Sequence, residues 1–193
     1  ISNEFKEFYD NFDDKLMILI VGDGNVGKST LLNALVGEEV AKTNYLPTTW
    51  KIDVYSPELS KDNAIIKYKT GKQETLSVEE AKQKINEIEK KSKESKKIYN
   101  AKLKEQSKSI KNNKNQLEEL KRYLDKEYIY KSNIYEVMWP VKSNLISKPY
   151  ILVDTPGLTF NLNELQIRNI NSYYHKADGV IWMLDGNTIQ KKS

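Results

Sequence analysis

Eight residues constrain this chain more than any others: Gly22-Asp23-Gly24-Asn25-Val26-Gly27-Lys28-Ser29. They fit G-x-x-x-x-G-K-[ST] at every fixed position. The flanks agree. Leu16–Val21 is an unbroken run of six apolar residues, which reads as a buried strand stopped by Gly22. Lys28–Val36 reads as a helix ended by Gly37. Glycines let the backbone curl so that successive N–H groups point at one anion. The helix N-terminus adds partial positive charge. The loop from Gly22 to Thr30, with Asp23, Gly24, Asn25, Val26 and Gly27 along it, is therefore expected to cradle phosphates. Lys28 should reach the outer phosphates and the Ser29 hydroxyl should ligate Mg²⁺.

A second motif, Asp154-Thr155-Pro156-Gly157, follows another apolar strand, Tyr150–Val153. An acid ending a strand beside the first one can hold Mg²⁺, directly or through water. Gly157 has no side chain to keep its N–H from a terminal phosphate. Between the motifs lies Leu46-Pro47-Thr48-Thr49, where a threonine hydroxyl can close over the metal. Thr49 is the expected ligand and Thr48 the second choice; a strand start explains the pair as well.

The rest of the chain reads around these motifs. Ile1, Phe5, Phe8 and Phe12 recur at helical spacing, so 3–12 is expected to be an amphipathic helix, and 1–13 a leading element. Trp50–Tyr55 and Ala64–Tyr68 alternate like strands, and Asp62-Asn63 between them signals a hairpin. Ile134–Met138 and Val180–Leu184 read as further strands, and Leu162–His175 as a helix. This order predicts an α/β sheet with parallel members.

Charge is unevenly spread. Residues 81–131 carry 16 Lys/Arg and 8 Asp/Glu, a net of +8, so with +4 for the whole chain the remainder is −4. The stretch holds no Pro or Gly and consists of strong helix formers. Residues 77–131 thus read as an inserted helical arm, two helices or one long hairpin with a solvated middle. A Lys-rich arm is commonly a solvated face; an anionic membrane or a protein is the alternative partner, and nucleic acid is the weakest option for lack of an RNA-binding signature. Hydrophobic residues make up only 38% of the chain, consistent with part of it lying outside a packed core.

Cysteine is absent and there is one histidine, His175, which excludes disulfides, thiolate metal sites and His-rich clusters. No apolar run approaches the length of a membrane span, and no basic n-region followed by an apolar h-region stands at the start, so no secretory signal is expected there. Ile1 stands first rather than Met, so a piece of a longer protein, or a processed product, is expected.

Phosphate loop, P-T-T and D-T-P-G in this order resemble the first three boxes of a regulatory GTPase. The interval from Thr49 to Asp154 is 105 residues. With the stretch Ala177-Asp178-Gly179-Val180-Ile181-Trp182, it makes the chain similar to the amino-terminal part of a dynamin-superfamily GTPase domain of the bacterial dynamin-like kind. The resemblance covers roughly residues 14–190. It implies a P-loop NTPase fold of the G-domain type, with a mostly parallel central sheet flanked by helices and the Lys-rich insertion before D-T-P-G. It implies GTP as substrate, GDP as product and Mg²⁺ as cofactor, held by Ser29, Thr49 and Asp154. Lys28, Thr49 and Gly157 would serve catalysis. The family implies homodimerisation across the nucleotide sites and membrane remodelling. It places the protein in the cytoplasm or at the periphery of the cytoplasmic membrane.

The pattern departs from its relatives in three places. A guanine-reading [NT]-K-x-D box does not occur by Ser193, so residues 1–193 would be an incomplete GTPase domain. Leu158 stands where Ras-type enzymes keep a catalytic Gln, and Gly24 where dynamins often hold a polar catalytic residue. Asn25 matches GTPases that bind K⁺ near the β/γ bridge; equally, Asn accepts tight turns. The rivals to the dynamin-like reading are a potassium-dependent GTPase acting on RNA or ribosomes, and a nucleotide-switched interaction module with little hydrolysis.

Overall fold

The computed structural model describes residues 16–41, 51–110, 113–141, 150–156 and 164–185. The expected helix over 3–12, together with Thr48, Thr49, Gly157 and Leu158, lies outside the described residues. Strand β1 (Leu16–Gly22) leads into α1 (Lys28–Val36). Then come β2 (Ile52–Ser56), β3 (Asn63–Tyr68) and β4 (Gln73–Ser77). Helix α2 (Val78–Gln106), a short 3₁₀ turn (Ser107–Ser109) and α3 (Lys114–Tyr128) follow. The chain closes with β5 (Ile134–Pro140), β6 (Tyr150–Asp154), α4 (Glu164–Tyr174) and β7 (Gly179–Met183).

The strands form one sheet in the order β4-β3-β5-β2-β6-β1-β7. It is a mixed sheet, and the expectation of a mostly parallel one narrows to particular neighbours. Strand β1 runs parallel to both β6 and β7, and β2 parallel to β5; the β2–β6, β3–β4 and β3–β5 pairings are antiparallel. The hairpin expected between β2 and β3 is not formed, because β5 lies between them. The hairpin is instead β3–β4, closed at Gly71, whose φ of 83° suits glycine. Strand β4 escaped the sequence reading because Gln73-Glu74-Thr75-Leu76-Ser77 sits at the sheet edge and carries little apolar signal.

Two apolar layers flank the centre of the sheet. On one face Ile20, Tyr55, Tyr150 and Leu152 pack with Leu32 and Val36 of α1. On the other, Leu19, Val21, Ile52, Val54 and Val153 pack with Ile170 of α4. Burial on both faces is why β1 reads as a continuous apolar run rather than an alternating one. The Tyr150 hydroxyl donates to the Leu35 carbonyl at 2.6 Å, fastening the end of α1 to β6. The Tyr173 hydroxyl donates to Glu136 Oε2 at 2.6 Å, fastening α4 to β5, and Lys67 pairs with the same buried carboxylate at 2.6 Å.

The chain divides into two compact units, residues 79–133 and the remainder. In the smaller unit α3 folds back along α2: the Tyr130 N–H donates to Ser95 Oγ at 3.1 Å, and Lys102 lies 5.8 Å from the centre of the Tyr128 ring. Asn113 caps α3 through its side-chain oxygen, which accepts from the Asn115 and Gln116 amides at 3.1 and 3.2 Å. No described helix is long and apolar enough to cross a membrane.

Candidate phosphate and cation site

The site forms where β1 and β6 end side by side. Parallel pairing places Ile20 beside Asp154, so the loop after β1 and the acid ending β6 share the carboxyl end of these two interior strands. Thr155, fully buried, holds that junction: its hydroxyl donates to the Ile20 carbonyl at 3.0 Å. On the other side of β1, Gly22 pairs with Met183 of β7.

Local backbone geometry follows from residue type. Gly27 takes a left-handed conformation (φ 95°) and starts α1 without a side-chain cap. No acidic residue occupies the first turn of α1. The amides of that turn have no partner within the helix, an arrangement that can receive an external anion. Asn25 also has a positive φ, 64°, alone in this among the described non-glycine residues. Asn tolerates that region better than most residues, which meets the turn reading of Asn25; the monovalent-cation reading stands beside it as a proposal.

Lys28 bridges the opening of the loop. Its Nζ donates to the Gly22 carbonyl at 3.1 Å and to the Asp23 carbonyl at 2.7 Å. Burial lowers its pKa, against the opposing charges of Asp154 and Asp23. The Ser29 hydroxyl donates to Asp154 Oδ2 at 3.4 Å. Asp154 is 3% exposed, and its other oxygen, Oδ1, has no hydrogen-bond partner among the described residues. Burial first, and the neighbouring Asp53 second, push its carboxyl up to about 7 despite Lys28 and Lys51. A hydroxyl and an orphaned buried carboxylate oxygen suit a hard divalent cation, which takes oxygen ligands. Among the described residues no group of three His, Cys, Asp or Glu side chains gathers to hold a metal. Magnesium commonly completes its shell with waters and substrate phosphates.

The structure thus brings Gly22, Asp23, Gly27, Lys28, Ser29 and Asp154 together at the carboxyl ends of β1 and β6. Thr30 lies in the exposed first turn of α1. Thr49 and Gly157 fall outside the described residues.

The family model described as the dynamin family matches residues 18–193. The chain belongs to the dynamin family. Its P-loop, sheet and flanking helices are those of a dynamin-like GTPase domain. No curated protein matches it. Two similar solved structures are each described as an oligomerised bacterial dynamin pair, in the setting of long-range sensing and tethering of membranes. They are 20% identical, with TM-scores of 0.44 and 0.45, and cover 93% and 94% of this chain. This chain spans 22% and 25% of theirs.

Around the dynamin-family motifs the structure adds residues the sequence reading passed over. Lys51, just before β2, and Asp53 and Tyr55 of β2 are such residues, with Asp53 opposite Asp154 in the β2–β6 register. Their alternation within a strand was the available signal, but only the register places them beside the site. Asn33, inside α1, is a further such residue. Its side chain accepts from the Val40 and Ala41 amides at 3.0 and 2.8 Å and donates to the Ala41 carbonyl at 2.9 Å. It thereby fixes the chain that leaves α1.

Proposed function

We propose that this domain binds GTP with Mg²⁺ and hydrolyses its γ-phosphate. The observation that carries the reading is the buried Oδ1 of Asp154, without a partner among the described residues, beside Ser29 and a helix N-terminus whose first turn has no acidic side chain. Loop amides from Gly22 to Thr30 bind the phosphates. Lys28 exchanges its carbonyl partners for phosphate oxygens, a charge-assisted bond stronger than the neutral ones it replaces. Ser29 and Asp154 would hold the cation, and Thr49 would join them in the triphosphate state. When bound, Mg²⁺ neutralises charge on the phosphate oxygens.

Hydrolysis forms a bond between water oxygen and the γ-phosphorus and breaks the bond from that phosphorus to the bridging oxygen. GDP leaves, and the water's protons pass to phosphate and solvent. Gly157 offers its N–H to the γ-phosphate. Asn25 is proposed to help hold K⁺ near the bridging oxygen. Dimerisation across the nucleotide sites and remodelling of an anionic membrane, with the protein in the cytoplasm or at the membrane periphery, are proposed from family membership.

The test is calorimetric titration of GDP and ADP, with Mg²⁺ and K⁺, into the protein extended past Ser193. GDP binding without ADP binding is expected. ADP binding as tight as GDP would overturn the guanine assignment.

A further inference from the structure

We propose that Asp53 is a positioning residue of the cation site, its fixed carboxylate strengthening the hold on a divalent cation while Lys51 opposes it. The inference rests on the nucleotide reading above and concerns residues that neither motif contains.

Asp53 and Asp154 are directly opposite each other on antiparallel strands. Residues so placed have Cβ atoms about 5 Å apart on one face, and like charges there repel. Both acids are buried, at 8% and 3% exposed. Their surroundings differ. Asp53 accepts from the Trp139 indole N–H at 2.7 Å and from the Lys51 ammonium, and Lys51 in turn lies 6.0 Å from the centre of the Trp139 ring. Strand β5, which carries Trp139, thus locks the orientation of the carboxylate. Among the described residues Asp154 receives the long bond from Ser29 on Oδ2, and none partners its Oδ1. Lys28, the other nearby cation, is engaged by the Gly22 and Asp23 carbonyls.

The two buried acids face two ammoniums, but Lys51 sits on Asp53 and Lys28 on the loop carbonyls, so no described cation touches Asp154 Oδ1. A divalent cation arriving there turns the repulsion between the acids into a shared attraction. Because Asp53 is held by Trp139 and Lys51, it acts through its field and not as a ligand. In surroundings this dry a charge one residue away from the ligand is weakly screened. Lys51, of opposite sign and equally buried, must act in the opposite direction.

That opposition in sign separates the proposal from a merely structural ion pair. The experiment follows release of fluorescent GDP from the whole chain as Mg²⁺ is varied and reads the Mg²⁺ concentration that slows release by half. In Asp53→Asn, which keeps an acceptor for Trp139, that midpoint should rise about tenfold. In Lys51→Met it should fall several-fold. Should Asp53→Asn not fold, Lys51→Met decides alone: a midpoint that does not fall overturns the proposal. Midpoints that move together, or stay within about twofold of wild type, also overturn it. Mg²⁺-dependent release in the wild type with unmoved variants defeats this proposal alone. Mg²⁺-insensitive release in the wild type defeats the cation reading of the site as well.

Discussion

A β-carbon placed on Gly22 would lie 2.3 Å from the carbonyl oxygen of Met183. The first glycine of the phosphate loop therefore lets β7 pass as well as letting the loop turn. Its φ of 150° is a further demand that few side chains meet. Gly22→Ala should force β1 and β7 apart and cost about 1–3 kcal/mol of stability. Urea unfolding midpoints would check this. A variant as stable as wild type would show that β7 yields freely.

Lys28 is expected to dominate phosphate affinity. Lys28→Met removes a charge-assisted bond of about 1.5–3 kcal/mol, so GDP affinity should fall about 10- to 100-fold. Calorimetry measures it. The fold should survive, because among the described residues the lysine's hydrogen bonds go to two loop carbonyls.

Asp154 makes stability depend on pH. Its folded pKa, about 7, lies above its ordinary value of 3.8. The folded state then binds the proton more tightly than the unfolded state. The associated stability is complete below about pH 4 and is lost progressively as pH rises through 7. Asp154→Asn should remove that loss. Denaturation midpoints from pH 4 to 8 should fall for wild type more steeply than for the variant. Parallel curves would show that the acid is charged throughout.

Thr155 should matter for the junction between β6 and β1. Thr155→Val keeps the shape and deletes the hydroxyl that donates to Ile20. The expected loss is about 1 kcal/mol, read as a lower thermal midpoint, with weaker Mg²⁺ dependence of GDP release as Asp154 loses its support.

Asn25 separates two readings. Asn25→Gly preserves the left-handed turn and should leave stability within about 0.5 kcal/mol of wild type. If Asn25 helps hold K⁺, the same variant should lose the stimulation of turnover by K⁺ over Na⁺. Equal turnover of the wild type in both salts would leave only the turn.

The sequence determined by itself whatever local chemistry dictates. The phosphate loop, its strand and helix, Gly37 as the helix stop and the acid ending β6 are each set by neighbours along the chain. Only glycine takes the loop's conformation cheaply, and only an unbroken apolar run suits a strand buried on both faces. The charge of the arm was legible too, because α2 and α3 consist of strong helix formers. Tertiary structure decided what depends on register. Strand β5 separates β2 from β3, although the turn between those two looked like a hairpin; long-range pairing outweighed a local turn preference. Asp53, Lys51 and Trp139 became neighbours of the site because β2 lies between β5 and β6, two strands distant in sequence. No local pattern announces such a meeting, since the sequence spells out each strand but leaves the choice of its partners to the packing of the whole sheet.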